Sequence, residues 1–195
     1  MKRYKINEIF YSLQGEGRNT GRAAVFVRFA GCNLKCSFCD TDFGSYTEMT
    51  AQDIVDKMNS LIASANGMPM VVLTGGEPTL QADFDLIDLI HVNGYKFVAM
   101  ESNGTATPPS NLDWLTVSPK GKVNVARCNE LKCIYGKEGL LAYPNSIVAD
   151  YKYVQPCDTG DEATNQIIIR QAIEYIEQHP DWRLSLQTHK MIGFK

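Results

Sequence analysis

Apolar residues along the chain follow two rhythms. Short continuous or alternating apolar runs, the mark of strands, are interleaved with stretches in which apolar positions recur every three or four residues, the mark of helices. Residues 24–30 (AVFVRFA) and 70–74 (MVVLT) read as buried strands, YKFVAMES and WLTVSP as a third and fourth. NELKCIY and the stretch around YKYVQ read as further strands, and RLSLQTH as a closing one. Between them, Thr50 is predicted to cap a helix with Asp53 at its third position, which puts Ile54, Val55, Met58, Leu61 and Ile62 on one face. A helix from about Asp83 is expected to carry Phe84, Ile87 and Ile90 inward and to stop near Gly94, and residues 161–178 form a long amphipathic helix. Helical connections are missing or very short between Ser118 and Ile147. Repeated strand–helix units predict an α/β fold with a parallel sheet and helices outside; about six strands fit an incomplete TIM-type β/α barrel. No repeat, low-complexity tract or charge block divides the sequence, so one domain over residues 1–195 is expected.

The polar, glycine-rich or cysteine-bearing segments all follow strand ends: GCNLKCSFCDT, TGGEPT, ESNGT, SPKG and QTHK. In parallel α/β architectures that edge is where ligands bind, so these segments are expected to converge on one mouth, as in an enzyme.

Composition changes this picture little. Of 195 residues, 44% are apolar and 21% charged, ordinary for a globular protein with a core of its own. A net charge of −3 gives no electrostatic case for nucleic acid or an anionic membrane. The basic start is not followed by a long apolar run before Gln14, Glu16 and Arg18, so neither a signal peptide nor a membrane span is expected, and a cytoplasmic location follows. In that reducing compartment six cysteines do not suggest a disulfide scaffold.

Three of the six, Cys32, Cys36 and Cys39, lie within eight positions beside Gly31, Asn33, Lys35 and Asp40, the composition of a loop and not of a core stripe. Structural zinc takes four ligands, and no fourth thiolate or histidine sits at zinc-finger distance. A 4Fe–4S cluster normally takes four cysteines; with three, one iron keeps an open position. In the motif class with this spacing, the open iron is chelated by S-adenosylmethionine (SAM), which the reduced cluster cleaves to a 5′-deoxyadenosyl radical.

Thr74-Gly75-Gly76-Glu77-Pro78 follows a strand 35 positions after Cys39, which predicts a turn beside the cluster with backbone free to bond the amino group of SAM. Asp40-Thr41 offers hard oxygen ligands suited to Mg²⁺, or a simple turn cap. Arg28 stands on an apolar strand and needs a partner, either a ligand carboxylate or an internal acid. Cys128, Cys133 and Cys157 are taken as structural, and residues 158–162 as a loop leading into a helix.

The run SLQGEG–GRAAVFVRFAGCNLKCSFCDTDF, with TGGEPTLQ, ESNGT, SPK and QTHKMIG, resembles the 7-carboxy-7-deazaguanine synthases over nearly the whole chain. The resemblance implies a radical SAM enzyme with a 4Fe–4S cluster, SAM and Mg²⁺, acting on a small pterin. It implies conversion of 6-carboxy-5,6,7,8-tetrahydropterin to 7-carboxy-7-deazaguanine with loss of ammonia, on the route to queuosine and other deazapurines. It implies that hydrogen is taken from the substrate's C6 and later returned, so that SAM is regenerated, and it assigns no side chain as catalytic. It further implies a homodimer and a flavodoxin- or ferredoxin-type electron donor. By motif match, Leu13, Gln14, Gly15, Arg28 and Thr74 would contact the pterin, and Lys195 would contribute its main chain or carboxylate. Phe38, Cys39, Asp40, Gly76, Ser118, Pro119 and Lys120 would line the SAM site, and Thr41 would ligate Mg²⁺. Glu16, Glu101 and His189 are further candidates for SAM or substrate contacts. Two features depart from the family's pattern: the pair Cys128 and Cys133, and Ser102 where threonine is expected.

Two other readings stand beside this one. A glycyl-radical activating enzyme shares the cysteine spacing but needs a protein partner and consumes SAM. A non-catalytic module would use the cysteines for zinc or electron transfer.

Overall fold

The computed structural model describes residues 2–39, 44–143 and 146–195. One mixed sheet organises them. Strands β2 (Ala23–Phe29), β4 (Met70–Gly75), β5 (Val98–Ser102), β6 (Trp114–Val117), β7 (Arg127–Gly136), β9 (Val148–Pro156) and β10 (Trp182–Leu184) pair in parallel in that order. At the β2 edge, β1 (Tyr4–Leu13) runs antiparallel and β3 (Thr47–Met49) pairs with it, while the short β8 (Gly139–Leu140) folds back on β7. The sheet path ends at β3 and β10 without closing, which is an incomplete barrel with seven parallel strands instead of about six.

Helices α1 (Ala51–Leu61), α2 (Phe84–Val92) and α3 (Glu162–Gln178) cover the outer face. Alternation along each strand sorts its side chains. Val25, Val27, Phe29, Val71, Leu73, Met100 and Leu131 point outward and join Ile54, Val55, Met58, Leu86, Ile87 and Ile90 in the main core. The inner face begins apolar, with Ala24, Met70, Val72 and Ala99 packed by Phe26, Phe97 and Trp114. It turns polar toward the strand C-terminal ends, where Val72 gives way to Thr74, Ala99 to Glu101 and Phe26 to Arg28.

Helix α1 starts as its sequence predicts: Thr50 and Asp53 form a reciprocal capping box. Helix α3 is capped by Asp161, whose side chain accepts the Thr164 N–H. Two expectations need correction, and one strand lies outside the pattern of apolar positions. Phe84 is the first residue of α2, at its rim, and is 52% exposed while Ile87 and Ile90 are buried. RLSLQTH is not one strand: β10 ends at Leu184 and Thr188–Ile192 form a short helix, α4. The first strand, β1, hides in the sequence because a register shift between Ile6 and Glu8 breaks its alternation. Tyr4 and Ile6 face the helices, whereas Glu8 and Phe10 face the inside.

Asp83 fastens the first strand to the second helix. It accepts hydrogen bonds from the Leu86 N–H (3.0 Å) and the Tyr4 hydroxyl (2.8 Å), and it pairs with Lys2 (2.5 Å). Burial pushes this carboxyl up, but Lys2, the Leu86 amide and Tyr4 together hold it below its ordinary value. Asp83→Ala, which removes the cap and strands a buried phenol, is expected to cost about 2–3 kcal/mol in urea denaturation at neutral pH. A depressed carboxyl stabilises above its ordinary pKa and loses that contribution as pH falls, so the gap between the two proteins should narrow below about pH 4.

Candidate active site

A cavity of about 1030 Å³ opens at the C-terminal edge of the parallel strands. The three clustered cysteines enter from the loop after β2. Gly31, with φ at +85°, turns the chain out of the strand, and Cys32, Cys36 and Cys39 all line the cavity. The Leu34 N–H donates to the Cys32 sulfur (3.4 Å), and the Cys39 N–H closes a turn on the Cys36 carbonyl (3.2 Å). Burial pushes the Cys36 thiol up, opposed by the ammonium of Lys120. Among the described residues, no three His, Cys, Asp or Glu side chains gather tightly enough for a single metal ion. A 4Fe–4S cluster bonds each cysteine to a different iron, so its thiolates need not meet at one point. Three thiols facing a cavity, one already receiving an N–H and another beside a cation, fit such a cluster.

The turn after β4 packs directly on this loop. The Gly76 N–H donates to the Phe29 carbonyl (3.0 Å) and the Glu77 N–H to the Gly31 carbonyl (2.9 Å). A Cβ on Gly76 would overlap the Gly31 carbonyl, so only glycine fits where the two segments meet. Glu77, fully buried, accepts from the Thr79 N–H (3.2 Å), the Ser102 hydroxyl (2.8 Å) and the Asn103 N–H (2.7 Å). Asn103 then donates to Asn33 (3.0 Å), and Asn33 to Thr105 (2.8 Å). Ser102, the departure in ESNGT, thus spends its hydroxyl on Glu77, a bond threonine's hydroxyl could also make. Glu77, Asn33 and Asn103 are site supports that motif reading passed over; the acid in an otherwise small turn was their signal.

Of the other residues singled out from the sequence, Leu13, Gln14, Gly15, Glu16, Arg28, Phe38, Thr74, Glu101, Ser118, Lys120, His189 and Lys195 line the same cavity. Pro119 is buried and does not line it, and Asp40 and Thr41 lie outside the described residues. Lys120 donates to Ser118 (2.6 Å) and stands 5.7 Å from the Phe38 ring centre; burial and then Lys132 lower its pKa to about 8. Arg28 has an internal partner, Glu8 (2.9 Å). Glu8 also takes the Lys195 ammonium, and the Lys195 carbonyl accepts from Ser12. The segment after β1 docks on α4: the Gly15 carbonyl accepts from the Thr188 N–H (3.0 Å) and hydroxyl (2.9 Å), and a Cβ on Gly15 would run into the His189 ring. Cys128 and Cys133 are core residues, as expected, but Cys157 stands in the cavity wall.

The Radical SAM superfamily profile matches residues 26–121, the stretch holding the cysteine loop, the glycine turn and the SPK strand end. The chain is 45% identical over 193 residues to the 7-carboxy-7-deazaguanine synthase of Bacteroides thetaiotaomicron, covering 98% of both chains. It belongs to the 7-carboxy-7-deazaguanine synthase family. Another member, from Bradyrhizobium diazoefficiens, is 41% identical over 98% of this chain and 99% of its own. The crystal structure of QueE from Escherichia coli superposes with a TM-score of 0.71 at 28% identity, over 96% of this chain and 95% of that one. Family membership brings a 4Fe–4S cluster and SAM as cofactors, which suits the thiol set above.

Next to the cavity-lining Lys132, β7 carries a second buried ionisable side chain, Glu130, which does not itself line the cavity. Glu130 is 2% exposed, accepts from the Arg18 N–H (2.9 Å) and sits against Gly17, where a Cβ would overlap its carboxylate. Burial raises its pKa to about 7, with Lys132 opposing and Glu101 adding to the rise. A carboxyl raised in the folded state stabilises fully below its ordinary pKa and loses that contribution as pH climbs through the folded value. Glu130→Gln keeps an acceptor for Arg18 and removes this loss. The variant is expected to gain up to about 3 kcal/mol over the parent at pH 8 and little at pH 4.5, read from urea melts at both pH values.

Proposed function

We propose that this cavity contracts the ring of 6-carboxy-5,6,7,8-tetrahydropterin to 7-carboxy-7-deazaguanine, releasing ammonia, in queuosine and 7-deazapurine biosynthesis. One observation carries the proposal. The cysteine loop, the glycine turn and an inner wall of carboxylates and amides share one cavity, in a chain whose relatives bear that synthase's name.

When bound, the cluster and SAM supply a 5′-deoxyadenosyl radical. The chain's own residues bind, orient and shield. In this reading Cys32, Cys36 and Cys39 hold the cluster, and Gly76, Phe38 and the Ser118–Lys120 strand end border SAM. Thr74, Gln14 and the backbone of Leu13 and Gly15 flank the pterin. Arg28 is supported by Glu8 and Lys195 and offers its remaining guanidinium N–H groups to the substrate carboxylate. Asp40 and Thr41, just after the last cluster cysteine, contribute to SAM and to Mg²⁺. A homodimer, a flavodoxin- or ferredoxin-type donor and a cytoplasmic setting complete the proposal. No helix among the described residues is long and apolar enough to cross a membrane.

Anaerobic turnover of the reconstituted protein with 6-carboxytetrahydropterin, dithionite, Mg²⁺ and SAM tests the reading. Many product equivalents per SAM are expected by mass spectrometry, with deuterium from substrate C6 appearing in recovered SAM. Formation of 5′-deoxyadenosine without deazaguanine would sink the substrate assignment and leave the radical chemistry standing. A colourless anaerobic preparation containing zinc would overturn both.

A further inference from the structure

Lys132 is the most enclosed cation of the site, with a side chain only 5% exposed, and it lies on β7 facing the cavity. Its ammonium donates to one oxygen of Glu16 (2.5 Å) and one of Glu101 (3.0 Å). The other Glu101 oxygen accepts from the Gln14 side-chain amide N–H (3.2 Å), and the Gln14 side-chain oxygen accepts from the Glu16 backbone N–H (3.2 Å). Lys132, Glu101, Gln14 and Glu16 thereby close a circuit of hydrogen bonds. Gln187 braces it from outside by donating to the second Glu16 oxygen (3.0 Å). The circuit joins β5, β7, the segment after β1 and the approach to α4 around one ammonium.

We propose that Lys132 is a positioning residue for the pterin, fixing the Glu16 and Glu101 carboxylates so that their spare lone pairs accept N–H groups of the substrate's 2-amino-4-oxopyrimidine edge. This rests on the reading of the cavity as a pterin site. Each carboxylate oxygen can take two hydrogen bonds, and each uses one within the protein, which leaves both carboxylates with acceptor capacity to spare and no donor of their own. Without the ammonium that bonds both, the two carboxylates would lose their shared anchor and the like charges would push them apart, spoiling the placement of those acceptors. The electrostatics agree: burial would push Glu16 up, yet Lys132 and the hydrogen bonds it receives bring it to about 2. Burial would push Lys132 down, yet Glu101, Glu16 and Glu130 hold it raised.

Lys132→Met and Lys132→Arg, made in the full-length reconstituted protein, test this. The readouts are the dissociation constants for 6-carboxypterin, followed by its fluorescence, and for SAM, followed by equilibrium dialysis, alongside KM and kcat. Lys132→Met is expected to weaken 6-carboxypterin binding and raise the pterin KM at least tenfold, with SAM binding held within twofold. Lys132→Arg, which keeps the charge, should recover most of the pterin affinity. Unchanged pterin binding in Lys132→Met overturns the proposal. So does joint loss of SAM binding, pterin binding and the thermal unfolding transition, which would make the lysine a structural support only. Parent protein that binds SAM but not 6-carboxypterin would instead overturn the pterin reading itself.

Discussion

An ammonium group inside a sheet must be answered by acids, and the inner wall of this protein is arranged around that requirement. Lys132 leaves water for a place between Glu16 and Glu101, where an unpaired charge would be strongly destabilising. Glu16 belongs to the segment that leaves β1, Glu101 to β5, and Gln187 to the approach to α4. Elements more than a hundred residues apart in sequence are therefore set against one another by a single charge. The polar part of the cavity takes its shape from that arrangement, while the apolar part of the sheet's inner face beneath it packs Phe26, Phe97 and Trp114 as an ordinary core does.

A second buried acid organises the cysteine side. Glu77 has no cation at hand among its bonded partners, and is satisfied by two backbone amides and two hydroxyls. Those bonds tie the end of β4 to the end of β5, and Asn103 and Asn33 extend the tie into the cysteine loop. The two buried systems work differently. Lys132 holds carboxylates as acceptors, whereas Glu77 uses up its own acceptors to fix backbone. One part of the wall therefore remains open to ligand hydrogen bonds, and the other serves as a rigid seat.

Much of this was legible in the sequence, for identifiable reasons. Parallel strands buried on both sides write continuous apolar runs, so β2, β4, β5 and β6 could be located, and the thiol loop and glycine turn were found from spacing. What could not be found were features made by long-range contact. Gln14 meets Glu101, Glu16 meets Gln187 and Gly15 meets Thr188 because the sheet curls, and no local pattern announces it. Glu130 and Lys132 are the partial exception. Two charges at alternate positions in NELKCIY, on a strand otherwise apolar, signal a buried ionic pairing even before the partners are known. The strand–helix break after Leu184 was hidden because RLSLQTH alternates well enough to pass for a strand.

The register shift in β1 has a wider meaning. By admitting one extra residue near Asn7, the strand turns its N-terminal half toward the helices and its C-terminal half toward the cavity. Tyr4 and Ile6 thus answer to folding, while Glu8 and Phe10 answer to whatever the cavity receives. Along one continuous strand, the two demands fall on different residues and can be revised separately. A lineage could change the chemistry of its ligand wall at Glu8 or Phe10 and leave the anchor of the same strand undisturbed.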